Sequence, residues 1–285
     1  MIIPALQDDE FLAAVASAPD DDDFRLWWLG QSGFLLKWRG HHVLLDPYLS
    51  DSLTKKYAGT DKEHIRMTAR CIAPERLGFV DIVTSSHMHT DHFDAETLMP
   101  LVRAHGPGLP LVFPAANLEL ACERLASAPF ALHGIDAGES VRLGEFEFVG
   151  LPAAHDTIER DAQGRCRFLG FVVRFGPWTL YHSGDTRWHE ELPCLLSEHR
   201  PDVALVPING HDPARRVAGN LDGKEAAALA KACGATTALP HHFEMFTFNT
   251  APPDEFVAEC ARLGQSSRVL RCGETWSSVG LTPRG

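Results

Sequence analysis

No two of the seven cysteines in this 285-residue chain are spaced as CxxC, and their number is odd. Neither a disulfide framework nor a thiolate zinc site is signalled, and a reducing cytoplasm is the expected setting. The chain also lacks any apolar run of the roughly 18 residues that a membrane-spanning helix needs, so no membrane partner is expected. The small apolar stretch 11–18 follows Asp8, Asp9 and Glu10 instead of a basic segment, which argues against a secretory signal. Residues 1–23 are expected to hold a short helix and an acidic loop. Positive charge is scarce: 26 Lys and Arg stand against 38 Asp and Glu, a formal net charge of −12. That balance repels a polyphosphate backbone and disfavours nucleic acid as a partner. No Ser/Gly-rich or Pro-rich linker interrupts the chain, so residues 1–285 are expected to form one domain. Gly30, Gly33 and Gly40 mark hairpin turns, not a strand-to-helix passage, and give no phosphate-binding fingerprint.

What is present is a large apolar fraction, 45%, arranged in short runs. Segments 24–29, 34–38 and 42–46 read as a β-meander, and 80–84 as a buried strand. Helical patterns follow at 93–104 and 115–126, then strands at 141–148, 168–175 and 178–182. The second half alternates strand 203–207, helix 223–232, strand 236–239, helix 253–263 and strand 268–271. Two mixed sheets face to face with helices outside, an αββα sandwich of the α/β (α+β) class, would bury this many apolar strands.

The densest chemical signal is Ser86-His-Met-His-Thr-Asp-His-Phe93, just after the 80–84 strand. His87 and His89 alternate and would share one side of an extended segment. Asp91 and His92 lie past the bend and can reach a second ion. Imidazole and carboxylate suit zinc, manganese or iron. His155, Asp185 and His242 each follow an expected strand, so their ends would converge on one edge of the fold. Seven residues would then close a site for two divalent ions.

This pattern resembles the metallo-β-lactamase-fold hydrolases, whose HxHxDH signature stands here as His87, His89, Asp91 and His92. The resemblance extends to the Trp-Leu-Gly-Gln-Ser-Gly-Phe meander, Leu45-Asp-Pro-Tyr and the Gly184-Asp185 turn. It implies the αββα fold, a first ion on His87, His89 and His155, a second on Asp91, His92 and His242, and Asp185 bridging both. The family spacing Pro-x-His selects His242 over His241, although a one-residue shift would exchange them. Segment 181–186, the loop from Pro207 through Arg215, Arg216 and Asn220, and Pro240-His-His-Phe are similar to the ascorbate-6-phosphate lactonase branch. That likeness implies a manganese-dependent hydrolase opening a phosphorylated sugar lactone.

The expected function is therefore metal-dependent hydrolysis of a lactone or related ester, with manganese or zinc activating water. Asp91 and Asp185 would be the catalytic carboxylates, and His182 a candidate proton shuttle. Arg66, Arg215 and Arg216, with Asn220, are candidates for holding an anionic small-molecule substrate. A two-metal phosphodiesterase or nuclease, and a non-catalytic metal-binding protein, are the alternatives. Symmetric self-association into a homo-oligomer is the default for such a chain.

Overall fold

Runs of apolar residues become strands buried on both faces in the computed structural model, which describes residues 1–284. Every residue of β1 (Arg25–Gly30) and β2 (Gly33–Trp38) is buried, which is why these strands read as nearly continuous apolar runs without polar alternation. The strands that follow are β3 (His41–Leu45), β4 (Ile82–Thr84), β5 (Pro110–Pro114), β6 (Ala131–Ile135) and β7 (Ser140–Leu143). After them come β8 (Phe146–Pro152), β9 (Leu169–Phe175), β10 (Trp178–His182), β11 (Val203–Pro207), β12 (Thr237–His241) and β13 (Thr275–Ser277). The helices are α1 (Asp8–Ser17), α2 (Ser52–Lys56), α3 (Ala95–His105), α4 (Leu118–Leu125), α5 (Leu192–His199), α6 (Gly223–Ala232) and α7 (Asp254–Leu263).

The strands form a seven-stranded sheet ordered β13-β1-β2-β3-β4-β5-β6 and a six-stranded sheet ordered β12-β11-β10-β9-β8-β7. Both are mixed: β3 to β6 run parallel in the first, and β10 to β12 in the second, while the remaining neighbours are antiparallel. Helices flank the pair, giving the αββα sandwich. The sheets meet through aromatic edges, Phe24 on Phe175 at 5.3 Å and Trp38 on Phe175 at 5.6 Å between ring centroids. The β9–β10 turn approaches so closely that a Cβ on Gly176, at φ +49°, would overlap the Trp38 ring. Among the described residues no helix is long and apolar enough to cross a membrane.

Three departures from the sequence reading have identifiable causes. Segment 268–271 is not a strand, because Glu274 accepts from the Arg271 backbone N–H (2.9 Å) and the Arg268 guanidinium (2.6 Å) and folds it into a turn. The last strand is instead Thr275–Ser277, which extends the first sheet beside β1. β5 and β6 fall where no strand was expected. Between β3 and β4, where no element was expected, lies the short helix α2.

The topology places the chemistry. β8, β10 and β12 all point the same way, because β8 and β10 are each antiparallel to β9, and β12 is parallel to β11, which is parallel to β10. His155, Asp185 and His242 follow their ends, and the 87–92 loop follows β4.

Candidate metal centre

The loop after β4 is held by its own backbone. His92 N–H and Phe93 N–H both donate to the His89 carbonyl, at 3.0 and 2.8 Å, and Ser85 Oγ donates to the His87 carbonyl at 2.8 Å. Asp94 then caps α3, accepting from the Glu96 N–H at 3.2 Å, so the loop ends where the helix begins. Gly184 makes the turn that delivers Asp185. It sits at φ +56°, and a Cβ there would overlap Ser86 Cβ and Oγ.

Donor atoms of His87, His89 and His155 lie within 4.8 Å of one another, and so do those of Asp91, His92, Asp185 and His242. The two groups adjoin. Asp185 Oδ2 is 3.7 Å from His155 Nε2 and 3.4 Å from His242 Nε2, while its Oδ1 faces His92 Nε2 at 3.2 Å. Buried His87 Nε2, His92 Nε2 and Asp185 Oδ1 have no hydrogen-bond partner, an unusual cost for fully enclosed polar atoms. Five imidazoles and two carboxylates, with orphaned donor atoms aimed at a shared space, fit a pair of divalent cations.

Three of the ligands, His92, His155 and Asp91, are oriented by hydrogen bonds from neighbouring residues. Asp46, fully buried, accepts from His92 Nδ1 at 2.7 Å, from the Ser86 N–H at 3.0 and 3.1 Å, and from the Ser86 and Thr84 hydroxyls. That bond fixes the His92 tautomer with Nε2 toward the site. His155 Nδ1 does the same, donating to the Gly219 carbonyl at 2.9 Å with Asn220 Oδ1 at 3.1 Å. Gln31 Nε2 donates to Asp91 Oδ2 at 2.8 Å and lies 3.0 Å from His242 Nε2. Asp46, Gln31 and His242 all adopt left-handed backbone, at φ +40°, +50° and +63°, strain concentrated at the ends of strands that border the site.

The electrostatics follow from this crowding. Burial lowers the His87 imidazole, and the neighbouring His92 and His89 lower it further, well below its ordinary value. Burial works against a charged His92 too, but Asp185 and Asp91 outweigh it and raise this ring well above the ordinary range. His242 behaves likewise: burial opposes charge, Asp185 and Asp91 prevail, and its value rises to about 9. Reciprocally, burial would raise Asp91 and Asp185, yet His92 and His242 hold both well below the usual carboxylate range. In the metal-free state, protons on His92 and His242 therefore balance the carboxylates, and an incoming cation must displace them.

His241 stays outside this cluster. Its ring is buried beneath it, bonded to Ser32 Oγ at 3.1 Å and Ser183 Oγ at 3.3 Å and stacked on His182. His182 does not suit the proton shuttle considered for it. Its Nε2 donates to the Ser32 carbonyl at 2.8 Å, Nδ1 accepts from the Gly184 N–H at 3.4 Å, and the ring is fully buried.

A cleft of about 260 Å³ opens over the site, lined by Lys56, Tyr57, His64, Met88 and Arg124 as well as five of the seven ligands, His87 and His92 lying beneath. Arg66, Arg215, Arg216 and Asn220, the expected substrate-binding residues, do not line it. Arg66 is engaged by Asp51 at 2.7 Å and by the Ser50 and Thr68 carbonyls, and Arg216 by Asp61. Arg215 donates to the Asn209 carbonyl at 2.7 Å and to Asn249 Oδ1 at 3.2 Å. Asn220 serves His155 instead. The cations that do line the cleft are Lys56 and Arg124, and among the described residues neither forms an ion pair. Lys56 Nζ lies 3.5 Å from Thr90 Oγ1, and Arg124 donates to the Met88 carbonyl, so the two flank His89 from either side.

Comparison with known proteins agrees with this picture. The family described as Beta-lactamase superfamily domain matches residues 41–243. A metal-dependent hydrolase from Opitutus terrae is 30% identical over 256 residues, covering 88% of this chain and 98% of its own. Among solved structures, a possible metal-dependent hydrolase from Veillonella parvula superposes with a TM-score of 0.70 at 16% identity, covering 88% of this chain and 98% of its own. An isothiocyanate hydrolase from Delia radicum gut bacteria superposes at 0.69 and 20% identity, with the same coverage of 88% and 98%.

Proposed function

The chain belongs to the metallo-β-lactamase superfamily, and from that premise we propose that it is a metal-dependent hydrolase opening a lactone or related ester of a small anionic molecule. The observation that carries this reading is the convergence of seven donor residues, with unsatisfied buried atoms, at the floor of an accessible cleft whose unpaired side chains are cationic. Two bound divalent cations would make water nucleophilic near neutral pH and polarise the attacked carbonyl.

The protein's own residues supply the rest. Asp46 and Asn220 hold His92 and His155 in the tautomers that leave Nε2 free for a cation. Gln31 keeps Asp91 turned toward His242. Asp91 and Asp185 remain ionised in their buried positions and can accept hydrogen bonds from the attacking water. Lys56 and Arg124 would draw an anionic substituent over His89, the most open of the ligands, and so position the acyl group above the floor of the cleft. This arrangement moves the anion-binding role from the three paired arginines to two unpaired cations. A cleft of about 260 Å³ is of a size for a compact molecule such as a sugar lactone. The formal charge of −12 also disfavours a polynucleotide substrate.

The test is proton release from sugar lactones, with and without a phosphate, beside a phosphodiester control, on protein reloaded with manganese or zinc. Lactone turnover that chelation abolishes is expected. Cleavage of the diester alone would overturn the lactone assignment in favour of a phosphodiesterase.

A further inference from the structure

A hydrolase of this kind needs a group that carries a proton from the attacking water to the departing oxygen. The ligand set is committed to cations, and His182 is sealed beneath the site by its two hydrogen bonds. Of the remaining polar side chains lining the cleft, Lys56 and Arg124 are charged and have no lone pair to accept a proton, while Tyr57, Thr90 and Asn249 offer only hydroxyl or amide groups, which are poor proton acceptors as a class. His64 is left.

Its geometry is specific. His64 Nδ1 lies 2.7 Å from the Lys62 carbonyl, an acceptor only, so Nδ1 carries the hydrogen and Nε2 the lone pair. Tyr57 stacks on the ring at 4.6 Å, and Phe246 and Phe248 pack against it at 5.2 and 5.1 Å. The aromatic rings pack around His64, its Nδ1 is taken by the Lys62 carbonyl, the residue lines the cleft, and Nε2 makes no hydrogen bond to any described residue. The wall that carries it, the segment 48–70, ties to the facing loop through Lys62 Nζ on the Arg216 carbonyl at 2.6 Å and the Arg216–Asp61 ion pair.

We propose that His64 is the general base and then the general acid of the hydrolytic reaction, working through Nε2. This assignment rests on the hydrolase reading above. As water oxygen bonds to the acyl carbon, Nε2 takes one of its protons; as the acyl C–O bond breaks, the same proton passes to the leaving oxygen. The ring ends as it began, neutral with hydrogen on Nδ1, and the acyl product loses its own proton as a carboxylic acid. Burial lowers the His64 value, opposed by the Lys62 carbonyl and by Asp91, with His242 and Lys56 lowering it further. The ring is therefore neutral and able to accept at pH 7.

Two measurements decide the matter. Histidine ¹⁵N NMR on zinc-loaded protein should show His64 as the neutral Nδ1–H tautomer at pH 7; an Nε2–H tautomer or a charged ring would overturn the assignment. His64→Gln should lower kcat about 100-fold on alkyl esters or lactones, where both the base and the acid are lost, and only about tenfold on a nitrophenyl ester, whose leaving group needs no proton, so that the base alone is lost. An equal loss on both, or no loss on either, would overturn the proposal while leaving the hydrolase intact. Metal-loaded wild-type protein that turns over no ester would overturn the hydrolase reading itself, and the role of His64 with it.

Discussion

Asn at position 46 would change one oxygen to an amide in the most densely bonded carboxylate behind the site. Asp46 accepts from Ser86 N–H through both oxygens, from two hydroxyls and from His92 Nδ1 at 2.7 Å. Neither orientation of the amide is neutral. With NH₂ toward His92, two donors face each other and the ring must give up its Nδ1 hydrogen, leaving its one hydrogen on Nε2, the atom meant for a cation. With NH₂ turned away, it meets the Ser86 N–H. His92 keeps Asp185 at 3.2 Å and Asp91 at 3.7 Å, so its charge is not abandoned. The expected loss in metal-free stability is accordingly that of one misdirected buried donor, about 1–3 kcal/mol, and not the 3–5 kcal/mol or so of a broken buried ion pair. Metal affinity should fall about 10- to 100-fold, as for other partners that orient a ligating imidazole. Urea unfolding of the metal-free protein and competition with a coloured chelator measure the two quantities. Wild-type values in both would refute the role given to Asp46.

Gly184→Ala forces a left-handed alanine into Ser86 and should remove at least about 2 kcal/mol, lowering the thermal midpoint by at least roughly 3 °C together with metal content; an unchanged midpoint would refute the tight turn. Lys56→Ala and Arg124→Ala should each raise KM for an anionic ester about tenfold and leave a neutral isostere within about twofold, read from initial rates. Equal effects on both substrates would remove the anion-binding role. Burial and the nearby Lys37 push the His42 imidazole, edge-on to Phe79, down to about 4. A depressed value favours the neutral ring in the folded state, so its contribution is present above pH 6.5 and is lost as pH falls toward 4. His42→Gln should therefore match wild type at pH 7 and lose about 1–2 kcal/mol less between pH 6.5 and 4 in denaturant titrations. Parallel curves would refute it.

The sequence displays most clearly what is contiguous or periodic. HxHxDH is legible because four donors fall within six residues of a loop, and the strands that lead to His155, Asp185 and His242 are legible as apolar runs. The supporting residues are not, because they act at a distance along the chain. Asp46 meets His92 across 46 residues, and Gln31 meets His242 across 211. Their only local signals were the Leu45-Asp-Pro-Tyr segment and a turn in the opening meander. Charge content misled for the same reason. Arg216 is conspicuous in an acidic sequence, but Asp61, 155 residues away, occupies it. β5 escaped notice because prolines bound its five residues, and β6 because it lies half-exposed at a sheet edge where apolar patterning is weak. His64 stands in the sequence as a lone histidine outside any motif, and its tautomer depends on a carbonyl that composition does not report.

A hydrolytic site built on two divalent cations can be followed by titrating metal-free protein with manganese or zinc during lactone hydrolysis. No turnover without metal and a plateau at two ions per chain are expected. Turnover that survives complete chelation, or a protein that takes up no metal at these seven residues, would contradict such a site.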